Sequence, residues 1–216
     1  MTRSEGSLIP ASMLHTIADD IWGKPCLAYH VQPSLEPETR EAFEEVQRAI
    51  AEHWPEPLNV GPRHGLHVTI YPLVTVKGGF DKDAYWQSIA RQSQDILEEL
   101  CTGHPALELR FSRLKVTDTA IIATATEGTG LIEAIRERIV RELPPPSGQK
   151  PIIYDLIHST LARYRTRGSI PHDVVERIES LPVSITAPVA RIRLVRETLF
   201  PCLVTDEIAA IPLNGG

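Results

Sequence analysis

Two stretches of this 216-residue chain place a threonine two positions after a histidine: "GLHVTIYPL", residues 65–73, and "IHSTLARY", residues 157–164. In an extended strand, successive side chains point to opposite faces. His67 and Thr69 therefore share one face, with Val68 and Ile70 on the other, and His158 and Thr160 share a face opposite Ser159 and Leu161. An imidazole titrates near neutrality, so two of them can divide a reaction, one taking a proton while the other gives one. Hydroxyls about 6.6–6.8 Å along the strand from each imidazole could donate hydrogen bonds to an anion held between them. One such stripe is an ordinary structural feature. The same stripe in two strands, at comparable places in the two halves of the chain, points to a shared site.

The elements that would position these strands follow from periodicity. "CLAYHVQP" (26–33) reads as a strand, and "EPETREAFEEVQRAIAEHW" as a helix with Phe43, Val46 and Ile50 on one face and Pro37 in its first turn. The loop "PEPLNVGPRHG" leads into the first striped strand. A second helix carries Tyr85, Ile89, Ile96 and Leu100 behind a cap at Asp81. "ALELRFSRLKVTDTAIIATATEG" predicts two strands turning near Thr117 and Asp118, and "GLIEAIRERIVREL" a third helix that ends at "PPPSGQKP". The second striped strand is expected over about 152–164. Pro171 then opens a short helix with Val174, Ile178 and Leu181 inward, and the C-terminal residues supply two or three strands.

In each half the order is helix, loop, striped strand, helix and strand pair. This predicts an α+β protein of two similar lobes, antiparallel sheets with flanking helices around a central cleft, each lobe giving one striped strand. We expect residues 1–25 to be an N-terminal arm and residues 26–216 a single bilobal domain.

Composition sets limits on function. With 42% hydrophobic and 23% charged residues the chain is globular in type. The N-terminal residues, broken by Pro10 and Asp19-Asp20, read as neither a signal peptide nor a membrane span, so a cytoplasmic protein without membrane partners is expected. Cys26, Cys101 and Cys202 are odd in number and widely spaced, which fits reduced thiols. A net charge of −6 argues against a broad duplex-binding face, and any nucleic acid partner should be small or end-bound. The arginines of "ARYRTRG" and "ARIRLVR" read first as solvated strand edges.

The segments "HVTI" and "HSTLAR" resemble the paired His-hydrophobic-Thr/Ser-hydrophobic signatures of the 2H phosphoesterase superfamily, which includes bacterial 2′,3′-cyclic phosphodiesterases of the 2′-5′ RNA ligase-like group. Ser159 stands where that pattern has an apolar residue, and Leu66 where a proline often precedes the histidine. The resemblance implies a bilobal, pseudo-twofold fold and a metal-free cleft with no cofactor. It also implies a phosphodiesterase acting on a 2′,3′-cyclic phosphate or a 2′-5′ phosphodiester of RNA ends or small nucleotides. His67 and His158 would be its acid and base, in either order, and Thr69 and Thr160 its phosphate-binding hydroxyls. Chemistry agrees, because two imidazoles suffice for the proton transfers and two hydroxyls can stabilise the charged phosphorane.

Tyr71 and Tyr164 could stack on a base, and Arg163 and Arg165 could stand at the cleft rim, as further substrate contacts. A monomer is expected. Two other readings exist: a zinc hydrolase using His64, His67 and His158, and a nucleotide-binding module without turnover. No G-x-S-x-G elbow, P-loop or dinucleotide-binding glycine motif is present.

Overall fold

The computed structural model describes residues 13–214, so residues 1–12 of the expected N-terminal arm lie outside the described residues. The described chain begins with β1 (Met13–Thr16) and β2 (Pro25–Pro33), followed by α1 (Pro37–His53), β3 (Leu58–Val60), a single 3₁₀ turn (Arg63–Gly65) and β4 (Tyr71–Val74). Next come α2 (Lys82–Cys101), β5 (Leu107–Val116), β6 (Ala120–Glu127), α3 (Leu131–Glu142), β7 (Ile157–Tyr164) and β8 (Gly168–Pro171). The chain finishes with α4 (His172–Glu179), β9 (Ile185–Val189), β10 (Arg191–Leu199) and β11 (Val204–Pro212). Among the described residues no helix is long and apolar enough to cross a membrane.

Local chemistry accounts for these elements. Pro37 sits in the first turn of α1, where its missing N–H would have no helical partner in any case. Asp81 caps α2 by accepting the Ala84 N–H at 3.0 Å. Phe43 and Ile50 of α1, and Ile132, Ile135 and Ile139 of α3, are buried along single faces, as their spacing predicts. In α4 the buried pair is Val175 and Ile178, with Val174 only half-buried.

The strands form two main sheets. One has the order β11-β10-β2-β4 and the other β3-β7-β6-β5-β9, with antiparallel pairing throughout, while β1 and β8 make a separate two-stranded ribbon. Helix α2 packs on the four-stranded sheet and against α3, and α1 and α4 pack on the five-stranded sheet. Tyr29 stacks on Trp86 with ring centroids 4.0 Å apart, and Phe43 meets Phe111 edge-on at 4.9 Å. One continuous apolar cluster runs through both layers.

The fold is the expected bilobal α+β arrangement, but the lobes are not the two halves of the sequence. The four-stranded lobe combines β2 and β4 with β10 and β11 from the C-terminus, and the first helix packs on the other lobe. Long-range antiparallel pairing set this division, which helix and strand periodicity along the chain does not encode.

Candidate active site

The first histidine-threonine segment is not a full strand. Residues 66–70 run from the 3₁₀ turn to β4, bending at Ile70, and cross from one sheet to the other. Val68 makes an isolated antiparallel bridge with Ser159 of β7, and two residues on, the Ile70 N–H bonds the Val31 carbonyl of β2 at 2.7 Å. The expected uninterrupted strand over 65–73 is therefore corrected: the segment divides its hydrogen bonds between two sheets, so only Tyr71–Val74 forms a ladder. The second segment lies in β7, which begins at Ile157 rather than near 152.

The Val68–Ser159 bridge fixes the relation between the motifs. Antiparallel register puts His67 opposite Thr160 and Thr69 opposite His158. Val68 and Ser159, both 0% exposed, face the interior, and the four polar side chains take the other face, where all are half-buried. Diagonal neighbours such as His67 and His158 lie roughly 7–8 Å apart in this geometry, room for one phosphate between two imidazoles.

Further along β7 a bulge alters the alternation. Ile121 of β6 pairs with Ala162, but Ile122 pairs with Thr160, which leaves Leu161 as the extra residue. Its carbonyl accepts a hydrogen bond at 2.7 Å from Nε2 of the buried Gln47, which also donates to the Gly61 carbonyl at 3.0 Å. Beyond the bulge the faces exchange. Arg163 joins His158 and Thr160, while Tyr164 turns into the core.

A pocket is lined by His67, Thr160 and Arg163, together with Trp22, Gly65 and Pro201. Asp19 faces Arg163, its Oδ2 3.5 Å from Nε, and the guanidinium lies 5.0 Å over the Phe200 ring. Tyr164 is 2% exposed, stacks on Trp54 and donates its hydroxyl to the Thr117 carbonyl at 2.7 Å, so it is no substrate contact. Arg165 is exposed at the end of β7 and lines no part of this pocket. Tyr71, 7% exposed, lines a separate apolar recess with Phe80, Tyr85 and Ile152, because the bend at Ile70 takes it away from the face of Thr69.

Each histidine has a defined setting. Nδ1 of His67 is 2.7 Å from the Gly65 carbonyl, which can only accept, so Nδ1 carries the proton and Nε2 is the free base of the neutral ring. Burial, aided by His30 and Arg163 and opposed by the Gly65 carbonyl, pushes the His67 pKa down to about 4. His158 is also held below its ordinary value, first by burial and then by Arg163 and Arg136, with the Leu156 carbonyl opposing.

Arg136 of α3 ties the two motifs together. This guanidinium, 5% exposed, donates to the Ile70 carbonyl at 3.0 Å and the Leu156 carbonyl at 2.8 Å, and stacks 5.3 Å over Tyr154. Sequence reasoning missed both Arg136 and Gln47, although the signal was present: each is a polar residue on the apolar stripe of its helix. The trio His64, His67 and His158 is not assembled as a metal site. His64 is exposed and its Nε2 meets the Leu203 carbonyl at 3.2 Å, and among the described residues the donors grouped closely enough to share an ion are His30, Glu197 and Cys202.

This bilobal arrangement is a fold shared by several solved structures. Protein TT0787 of Thermus thermophilus matches it with a TM-score of 0.61 at 19% identity, covering 87% of this chain and 98% of that one. A structure described as a phosphoesterase matches with a TM-score of 0.54 at 17% identity, covering 86% and 98%. Escherichia coli LigT, solved with phosphate, matches with a TM-score of 0.52 at 15% identity, covering 88% and 99%. No protein-family model matches the sequence, nor does any curated protein.

Proposed function

We propose that this protein is a metal-independent phosphodiesterase that hydrolyses a 2′,3′-cyclic phosphate or a 2′-5′ phosphodiester on small nucleotides or RNA ends. The observation that carries this reading is the Val68–Ser159 bridge, which aligns the two histidine-threonine segments antiparallel on one face. Similar structures support it: E. coli LigT has been solved with phosphate, with 3′-AMP, with NADP⁺ and with ATP. The fold thus accommodates phosphate and adenine nucleotides in a relative that covers nearly the whole chain.

In the mechanism, Nε2 of His67 removes a proton from the attacking water. Its low basicity is offset by the fixed orientation that the Nδ1–H bond to Gly65 gives the ring. His158 donates a proton to the departing ribose oxygen as the P–O bond breaks. The anionic phosphate supplies the charge that makes its protonated form favourable between Arg163 and Arg136. Thr69, Thr160 and Arg163 stabilise the negative charge that gathers on the non-bridging oxygens in the transition state. The product is a phosphomonoester with one proton returned to solvent.

The test is a panel of 2′,3′-cyclic nucleotides, ADP-ribose cyclic phosphate, 2′-5′ oligoadenylate and RNA with a cyclic phosphate end, assayed in EDTA and read by phosphorus NMR of the products. Hydrolysis of at least one class, lost in both His67→Ala and His158→Ala, is expected. Binding without turnover across the panel, or turnover that both variants retain, would overturn the proposal.

A further inference from the structure

Behind the candidate base, three buried donors of different kinds face one another. His30 on β2, Glu197 on β10 and Cys202 in the following loop bring an imidazole nitrogen, a carboxylate oxygen and a thiol sulfur within 4.8 Å of one another. Nε2 of His30 is 2.7 Å from Oε2 of Glu197, and Oε1 of the same carboxylate accepts the Cys202 backbone N–H at 2.7 Å. The Cys202 sulfur lies 3.4 Å from Nε2 of His67.

The His30–Glu197 contact does not involve the sulfur, and it leaves Nδ1 of His30 without a partner. Yet Cys202 adopts φ of 50°, the one non-glycine with positive φ among the described residues. That conformation is unfavourable for an L-residue, and such strain concentrates at functional positions. Gln32 donates an amide N–H to the sulfur at 3.5 Å and is itself held by Arg193 at 3.3 Å. An N–H aimed at sulfur, braced from behind, is the outer support that metal-bound thiolates receive.

We propose that His30, Glu197 and Cys202 form a three-ligand binding site for a thiophilic divalent cation of the zinc class. Imidazole, carboxylate and thiolate bind zinc at about 2.0–2.3 Å in a tetrahedron, which separates ligand atoms by roughly 3.3–3.7 Å. The cluster therefore closes on an ion by moving its side chains about an ångström. A sulfur ligand selects zinc or cobalt over magnesium or calcium, which take oxygen ligands. Burial, with Glu197 adding to it, pushes the Cys202 thiol up, so the free thiol is protonated and the incoming cation displaces that proton to solvent, while the proton that His30 Nε2 shares with Glu197 moves to the unpartnered Nδ1 as Nε2 takes the ion. The binding does not rest on the proposed function.

Cobalt(II) titration of the reduced, full-length protein tests the site. One equivalent should give a thiolate-to-cobalt charge-transfer absorption that zinc abolishes by displacement. The absorption should be lost in Cys202→Ser, weakened at least ~10-fold in apparent affinity in Glu197→Gln, and kept in Cys26→Ser and Cys101→Ala. No such absorption in folded wild-type protein would overturn the proposal, as would its survival in Cys202→Ser. If no phosphodiester is hydrolysed, the proposed function fails, and the cobalt spectrum still decides the site.

Discussion

Val68 and Ser159 meet in a single antiparallel bridge, and that contact turns two separated motifs into one polar face. A shift of one residue would send His67 and Thr69, or His158 and Thr160, into the interior. Burial guards the register, since Val68 and Ser159 are both 0% exposed and a polar imidazole in either place would be buried in the interior.

If that face holds the scissile phosphate, the four side chains contribute unequally. His67→Ala and His158→Ala should each lower turnover by ~100- to 10,000-fold, the range of general acid–base catalysis. Thr69→Ala and Thr160→Ala should each cost ~10- to 1000-fold, the scale of one lost donor to the developing charge. Steady-state kinetics on variants with unchanged circular dichroism is the measurement. Wild-type rates in both threonine variants would show that the hydroxyls do not reach the phosphate.

Arg163 and Arg165 should separate cleanly, because the bulge at Leu161 delivers only the former to the pocket. Arg163→Gln should lower kcat/KM at least ~10-fold through lost anion binding. Arg165→Gln should stay within about twofold, as surface changes usually do. Equal losses in the two would place the substrate on the exposed end of β7 instead.

The proton affinity of His158 provides a pH test. Burial and the cations Arg163 and Arg136 all disfavour its charged form, so its titration, followed by NMR of the imidazole C–H, should lie below the ordinary histidine range in the free protein. Removing one cation should reduce that penalty, so Arg163→Gln moves the midpoint up. A bound phosphate should move it in the same direction. A midpoint that falls in Arg163→Gln would contradict the arrangement.

Gln47 does not line the pocket, yet it should matter to it. Gln47→Met keeps side-chain volume but abandons the buried carbonyls of Gly61 and Leu161, a loss of about 1–3 kcal/mol in denaturant unfolding. Without its anchor the bulge relaxes and Arg163 loses its place, so KM should rise in protein that is still folded at the assay temperature. Unchanged KM alongside reduced stability would make Gln47 purely structural.

Tyr164→Phe supplies the converse. It deletes the hydrogen bond to the Thr117 carbonyl, worth about 1 kcal/mol. It should leave kinetics untouched, since the ring lies in the core against Trp54. A large fall in turnover would reinstate this tyrosine as a substrate contact.

By itself the sequence determined which local elements form, and it marked the histidine-threonine pairs as the candidates for the chemistry. The histidine-threonine pairs, the apolar stripes of α1, α2 and α3, the Asp81 cap and the strand pair around Thr117 are all short-range patterns, set by side-chain period and backbone preference over a few residues. The tertiary structure alone decided what depends on distant pairing. It divided the first motif between two sheets, interleaved the lobes, and introduced the bulge that brings Arg163 to the pocket while sending Tyr164 to the core. It also drew His30, Glu197 and Cys202 together from the start and end of the chain. These outcomes turn on register and on which carbonyl a buried Gln47 or Arg136 reaches across the fold, quantities set only when distant segments pack and every buried polar group must find a partner.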